Sequence, residues 1–171
     1  MGQKGVTLYT ATADPAHIAA ADDAAIYRAI FGSTSGITEA DNQLAATRVN
    51  DTTVEIDTGV FSNQGFLLRV DAPITLTVEA GQAGFYRKDL VCAEYVIGGG
   101  GTSDTHALVV VKGTQNATEG LALDPTLEQD DLITGTASNR RQEPLYRLTL
   151  SGTTLSGTIT RVAGYVGSYY A

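Results

Sequence analysis

The chain has 171 residues, 43% of them hydrophobic and 18% charged, with 19 glycines, 4 prolines, a single cysteine and no tryptophan. That is apolar enough to close one core and too short for two domains of ordinary size, so neither an intrinsically disordered chain nor a two-domain enzyme fits. Eleven basic against nineteen acidic side chains leave a net charge of −8, and such a surface repels phosphate backbones, which excludes nucleic acid as a partner in the absence of a basic cluster.

The chain opens with Met-Gly-Gln-Lys-Gly, which has no apolar signal core, and no run approaches the ~18 apolar residues of a spanning helix. The expectation is a protein without a signal peptide or membrane insertion, made in a bacterial host cytoplasm. Residues 1–16 read as an N-terminal arm, in which Val6 to Ala13 alternate and Asp14-Pro15 breaks the pattern. Residues 17–32 read as a helix with its regular part over Ala20 to Phe31. Five alanines favour it, Asp22 and Asp23 complement its positive end, and Gly32 stops it. Ile26/Ile30 and Tyr27/Phe31 are four-residue pairs that place adjoining apolar patches along one side.

Beyond Gly36 the period changes to two, and residues 40–162 read as a β core. Leu44 to Val49 and Thr53 to Thr58 flank Asn50-Asp51 as a hairpin with Val54 and Ile56 inward. Phe66–Val70 and Ile74–Val78 follow as strands, the second with Ile74, Leu76 and Val78 on one face. Asp89 to Ile97 is apolar on both faces, the mark of a strand covered on both sides, and Cys92 within it reads as a buried, inert thiol. Gly98–Asp104 links this strand to Ala107–Lys112 as a hairpin loop. Residues 114–138 have no period and read as a solvated acidic loop or an interface. Leu145–Leu150 and Thr158–Val162 are further strands, and 163–171 is an aromatic tail. Arg87-Lys88-Asp89 reads as a charge-paired turn and Arg140-Arg141 as a solvated loop.

No residue pattern requires chemistry. The two histidines, His17 and His106, lack motif partners and read as surface or turn residues. The four glycines at 98–101 lack the Lys-Ser/Thr pair and following helix of a phosphate loop. One cysteine and two histidines do not supply a zinc site, and the acidic residues from Asp124 to Asp131 lack calcium-loop spacing. The Asn50-Asp-Thr52 and Asn116-Ala-Thr118 tripeptides read as turns. The expectation is no enzyme activity, no cofactor and no metal.

Several segments together resemble a known family. His17-Ile-Ala-Ala-Ala-Asp-Asp-Ala-Ala-Ile-Tyr-Arg-Ala-Ile-Phe-Gly32, Asn63-Gln-Gly65 with Arg69, Arg87-Lys-Asp-Leu-Val91 through Tyr95, Val111-Lys-Gly-Thr114 and Pro144-Leu-Tyr-Arg-Leu148 stand in the same order as in the small β-rich structural proteins of tailed-phage and prophage tails and baseplates, of the siphophage type. The resemblance covers residues 17 to 150 and departs at Phe66, where a basic residue is expected. It implies a virion tail subunit that acts by oligomeric assembly, as a trimer first and a hexamer second, with other tail or baseplate proteins as neighbours. The alternative is a carbohydrate-binding or host-receptor adhesin with a surface glycan as partner. The expected fold is mainly β, an antiparallel sandwich or flattened barrel of about eight strands with one N-terminal α-helix. The surfaces assigned to assembly are Ile26, Tyr27, Ile30 and Phe31 on the helix and Tyr165, Tyr169 and Tyr170 in the tail.

Overall fold

The computed structural model describes residues 20–98, 102–134 and 138–167. The chain is mainly β, with antiparallel sheets, one of them curled into a half-barrel, and one N-terminal helix. Helix α1 spans Ala20–Phe31, the bounds its alanine-rich run and Gly32 predict; residues 17–19 of the expected helix and the arm at 1–16 lie outside the described residues. Gly32 adopts φ +84° and its N–H donates to the Arg28 carbonyl at 2.8 Å, a left-handed cap that ends the helix. Among the described residues no helix is long and apolar enough to cross a membrane.

Eleven strands follow among the described residues, more than the sequence suggests because several are two residues long. They are β1 (Gly36–Ile37), β2 (Ala46–Asn50), β3 (Thr53–Ile56), β4 (Gly59–Asn63), β5 (Phe66–Val70), β6 (Ile74–Thr77), β7 (Tyr86–Val96), β8 (Thr105–Val111), β9 (Arg140–Ser151), β10 (Thr154–Leu155) and β11 (Thr160–Arg161). They form three sheets, ordered β1-β4-β5, β2-β3-β6 and β10-β9-β7-β8, with β11 also on β9. The two strands read in succession at 66–70 and 74–78 do not pair; β5 pairs with β4 and β6 with β3.

The hairpin at Asn50-Asp51 forms as the sequence predicts. Asn50 pairs with Thr53, the Asn50 side chain accepts from Thr52 N–H at 2.9 Å, and Val54 and Ile56 are fully buried. The long ladder between β7 and β9 is the spine of the molecule. Its register slips where Cys92 faces Pro144 and Val91 faces Tyr146, leaving Leu145 as an extra residue on β9. Proline has no N–H to give a ladder, so a bulge is where a sheet tolerates it. Leu145 turns into the core with no exposed surface.

All three sheets feed one core. Ile37 and Phe61 come from the first, Val54 and Ile56 from the second, and Val91, Ala93, Leu148 and Leu150 from the third. The Tyr146 hydroxyl donates to the Leu44 carbonyl at 2.9 Å and ties the third sheet to the loop before the second. Strand β7 is covered on both faces, as its composition predicts, and burial pushes the Cys92 thiol up to about 12, so it stays protonated.

Two charged clusters differ from expectation. Arg87 and Asp89 are not in a turn but within β7, alternating with Lys88 on the same side as the core residue Val91, and each is about 1% exposed or less. Arg87 Nε and Nη2 donate to the two Asp89 oxygens at 2.8 and 2.9 Å, and Nη2 also donates to the Glu79 carbonyl at 2.5 Å. Gly113 N–H donates to Asp89 at 2.9 Å. The pair therefore bolts the loop before β7 and the end of β8 to the sheet. Arg140 and Arg141 are likewise not in a loop but open β9, where Arg141 pairs with Glu143 at 2.5 Å across two residues.

The tail docks on its own domain as far as it is described. Ile37 N–H donates to the Gly164 carbonyl at 3.0 Å, Val166 N–H donates to the Ile37 carbonyl at 2.9 Å, and Val166 is buried.

Candidate interaction surface

Helix α1 sits on the tip of the β4–β5 hairpin. Asn63 pairs with Phe66, so Gln64-Gly65 is a two-residue turn with φ +51° and +89°, the left-handed pattern that matches strand twist. Ala24 is the residue that meets it. A Cβ on Gly65 would lie 2.3 Å from the Ala24 carbonyl oxygen, so the two backbones touch, and Arg28 Nη1 donates to the Gln64 carbonyl at 3.2 Å. Ala24 makes the closest contact, while Ile26 and Ile30 stay exposed.

Ile26 and Ile30 are 38% and 48% exposed and face outward, while Tyr27, 36% exposed, borders the cavity under the helix. Phe31, expected beside them, is half-buried instead: it stacks on Tyr27 with ring centroids 6.4 Å apart and rests on Gly167. Tyr165 is exposed but engaged. Its hydroxyl donates to Gln43 Oε1 at 2.7 Å and accepts from Arg161, whose guanidinium also lies 4.3 Å from the ring centre. Tyr169 and Tyr170 lie outside the described residues, as does His17.

Under the helix lies a cavity of about 280 Å³. Ala20, Asp23, Ala24 and Tyr27 form its helical wall, and Phe66, Leu67, Tyr95 and His106 face them from the sheets. The aromatic wall is ordered by ring contacts: Phe66 and Tyr95 are 4.6 Å apart, and Tyr95 meets His106 edge-on at 5.1 Å. Tyr95 donates its hydroxyl to Asp104 at 2.5 Å, and the other Asp104 oxygen accepts from Gly98 N–H at 2.7 Å, which closes the β7–β8 loop. Burial and then this carboxylate raise the Tyr95 phenol well above its ordinary range.

His106 is not the surface or turn residue that its lack of motif partners suggested. It lies on β8 two residues from the buried Leu108, on the inward side, and both ring nitrogens are buried without a hydrogen-bond partner. The Leu67 backbone faces the ring and works against the shift, but burial prevails and lowers the imidazole from 6.5 to about 4. The ring is neutral at pH 7. Below pH ~6.5 the unfolded chain binds a proton that the folded chain refuses until about pH 4, so stability falls as pH falls through that window. The full loss is about 3 kcal/mol. Melting curves at pH 7 and pH 4 check this: His106→Leu is expected to lose markedly less stability than the parent over the interval, and equal losses contradict it.

The aperiodic connection at 114–134 presents the second surface. Its acidic residues are exposed or half-buried, and three of them also brace the chain: Asp124 holds Arg147 with both oxygens, Asp130 accepts from Ser138 N–H at 2.5 Å, and Asp131 accepts from Ile133 N–H at 2.9 Å. Arg147 keeps the Asp124 carboxyl below its ordinary range. A 3-10 turn at Glu119–Leu121 begins after Asn116 accepts from Thr118 N–H at 2.9 Å. Ala122 is then buried, while Leu121 and Leu123 on either side are 63% and 72% exposed, the most exposed large hydrophobic residues among those described. They line a cleft of about 360 Å³ with Asn116, Asp124 and Pro125. Sequence reasoning missed both leucines, and the signal was thin: a Leu-Ala-Leu alternation inside an otherwise aperiodic stretch.

No protein-family model matches the chain, and no curated protein matches it at a significant level. Among the described residues no group of three His, Cys, Asp or Glu side chains is placed to hold a metal ion.

Proposed function

We propose that the protein is a structural subunit of a phage or prophage tail or baseplate and works by assembling with copies of itself, a trimer being the first expectation. The observation that supports this reading best is the contrast between a closed core and uncovered leucines. Leu121 and Leu123 are exposed on a hydrogen-bonded turn anchored by buried Ala122, and Ile26 and Ile30 are a second exposed apolar pair on α1. Apolar side chains presented in groups on an ordered frame mark contact surfaces, and closed oligomers repeat one such contact. The order of sequence segments, which resembles that of tail proteins, is what suggests the biological setting. The experiment is quantitative mass spectrometry of purified tailed particles from the bacterium that encodes the chain. The expected result is this chain in the particle at a copy number divisible by three; its absence from particles that carry the other tail proteins counts against the reading.

A further inference from the structure

The cavity under α1 combines a wall of aromatic rings with a carboxylate, a pairing that assembly through apolar side chains does not require. Phe66 and Tyr95 lie on the sheet side with ring centroids 4.6 Å apart, His106 meets Tyr95 edge-on at 5.1 Å, and Tyr27 borders the same space from the helix. Asp23, one turn before Tyr27 on α1, is the one charged side chain on the wall, and it has no ion-pair partner among the described residues. The small side chains of Ala20 and Ala24 leave the space between them open.

We propose that this cavity binds a small, freely dissolved organic cation with an alkylated ammonium head, held against the ring faces with its charge balanced by Asp23. The site does not depend on assembly. The face of an aromatic ring is the negative side of its quadrupole and attracts a cation within about 6 Å of the ring centre. Alkylated ammonium gives up little hydration on entering such a site, whereas a lysine ammonium is strongly hydrated. Tyr95 is electron-rich for a phenol, because it donates its hydroxyl proton to the Asp104 carboxylate at 2.5 Å. His106 adds a ring without a competing charge, since burial keeps the imidazole neutral at pH 7.

The surrounding charges favour the same guest. The full negative charge of Asp23 outweighs the partial positive charge of about one half at a helix start. Arg28 on the same helix turns its guanidinium to the Gln64 carbonyl at 3.2 Å and does not line the cavity. The net charge of −8 draws cations toward the protein. A sugar ring needs several hydrogen-bond partners, but the Tyr95 hydroxyl is committed to Asp104 and both His106 nitrogens are buried. At about 280 Å³ the cavity is at the small end of ligand sites, so it holds a head group and a short tail. A phospholipid head group of the same type carries a phosphate beside its ammonium, and no basic side chain on the wall receives it.

An NMR titration of the full-length protein with choline at pH 7 tests this, alongside dimethylbutanol, the uncharged isostere in which carbon replaces the nitrogen. The choline methyl signal is expected to move upfield and saturate, with a Kd on the order of 1 mM or tighter, and the isostere to bind at least about tenfold more weakly. Asp23→Asn is expected to weaken choline binding about three- to tenfold and Tyr27→Leu about five- to tenfold, while Tyr27→Phe, which keeps the ring, stays within about twofold of the parent. Both positions are exposed, and matching thermal melts establish that the variants fold. Absence of saturable choline binding overturns the site. Equal binding of the isostere, or parent-like affinity in either Asp23→Asn or Tyr27→Leu, overturns its selectivity for a cation held by rings and carboxylate. Phosphatidylcholine vesicles are expected not to sediment with the protein; co-sedimentation that Asp23→Asn abolishes replaces the dissolved cation with a lipid head group and overturns the proposal as stated. None of these outcomes bears on assembly, and a strictly monomeric protein that binds choline leaves the site standing.

Discussion

Replacing Arg87 with methionine is expected to lower the unfolding free energy by about 3–5 kcal/mol, a large fraction of the ~5–15 kcal/mol that holds a domain folded. The side chain is 1% exposed and satisfies both oxygens of a fully buried Asp89. Its loss leaves a carboxylate in the protein interior with only the Gly113 N–H beside it, and it frees the Glu79 carbonyl that Arg87 Nη2 holds. The cost comes from the orphaned charge more than from the attraction itself. The double variant Arg87→Met/Asp89→Leu therefore recovers much of the loss, since it removes both charges while keeping the volume. Urea denaturation of the parent, both single variants and the double variant checks this. Single-variant costs below about 1 kcal/mol, the scale of a surface pair, contradict it.

Gly65→Val is expected to detach helix α1 while leaving the sheets folded, at a cost of about 3 kcal/mol. A β-branched residue at φ +89° is strained by about 1–3 kcal/mol, and its Cβ collides with the Ala24 carbonyl oxygen at 2.3 Å, where backbone rather than a pliable side chain must yield. The same collision opens the cavity, whose walls are α1 and the hairpin. Hydrogen exchange distinguishes the two parts. Amides of residues 24–31 are expected to lose protection in the variant, while those of β7 and β9 keep theirs. Unchanged protection of the helix contradicts the docking described here.

Much of this architecture was legible before any coordinates. The helix bounds follow from alanines and Gly32, and the double-sided burial of β7 follows from an apolar run with no polar face. Strand β4 was not legible, because Gly59-Val-Phe-Ser-Asn63 ends in two polar residues that become fully buried. Ser62 Oγ accepts from Gly65 N–H at 3.1 Å, and Asn63 Oδ1 accepts from Ser35 Oγ at 3.4 Å, so their burial depends on partners that no local pattern announces. Arg87 and Asp89 misled for the same reason. Charges near a strand start read as a turn unless a carbonyl eight residues back is known to need them. The helix strip was legible from its four-residue spacing, but the seating of Phe31 on Gly167 joins residues 136 positions apart. His106 has no motif partner in the sequence, and only its period-two relation to Leu108 on β8 marks it as inward.

The central claim is that a rigid β scaffold acts by joining copies of itself through apolar side chains its own core leaves uncovered. Sedimentation equilibrium of the parent protein from about 1 µM to about 1 mM tests it most directly, across the ordinary range of subunit affinities. The account predicts a weight-average mass that climbs from 17.9 kDa toward three times that value. A mass that stays at 17.9 kDa through the whole range contradicts it.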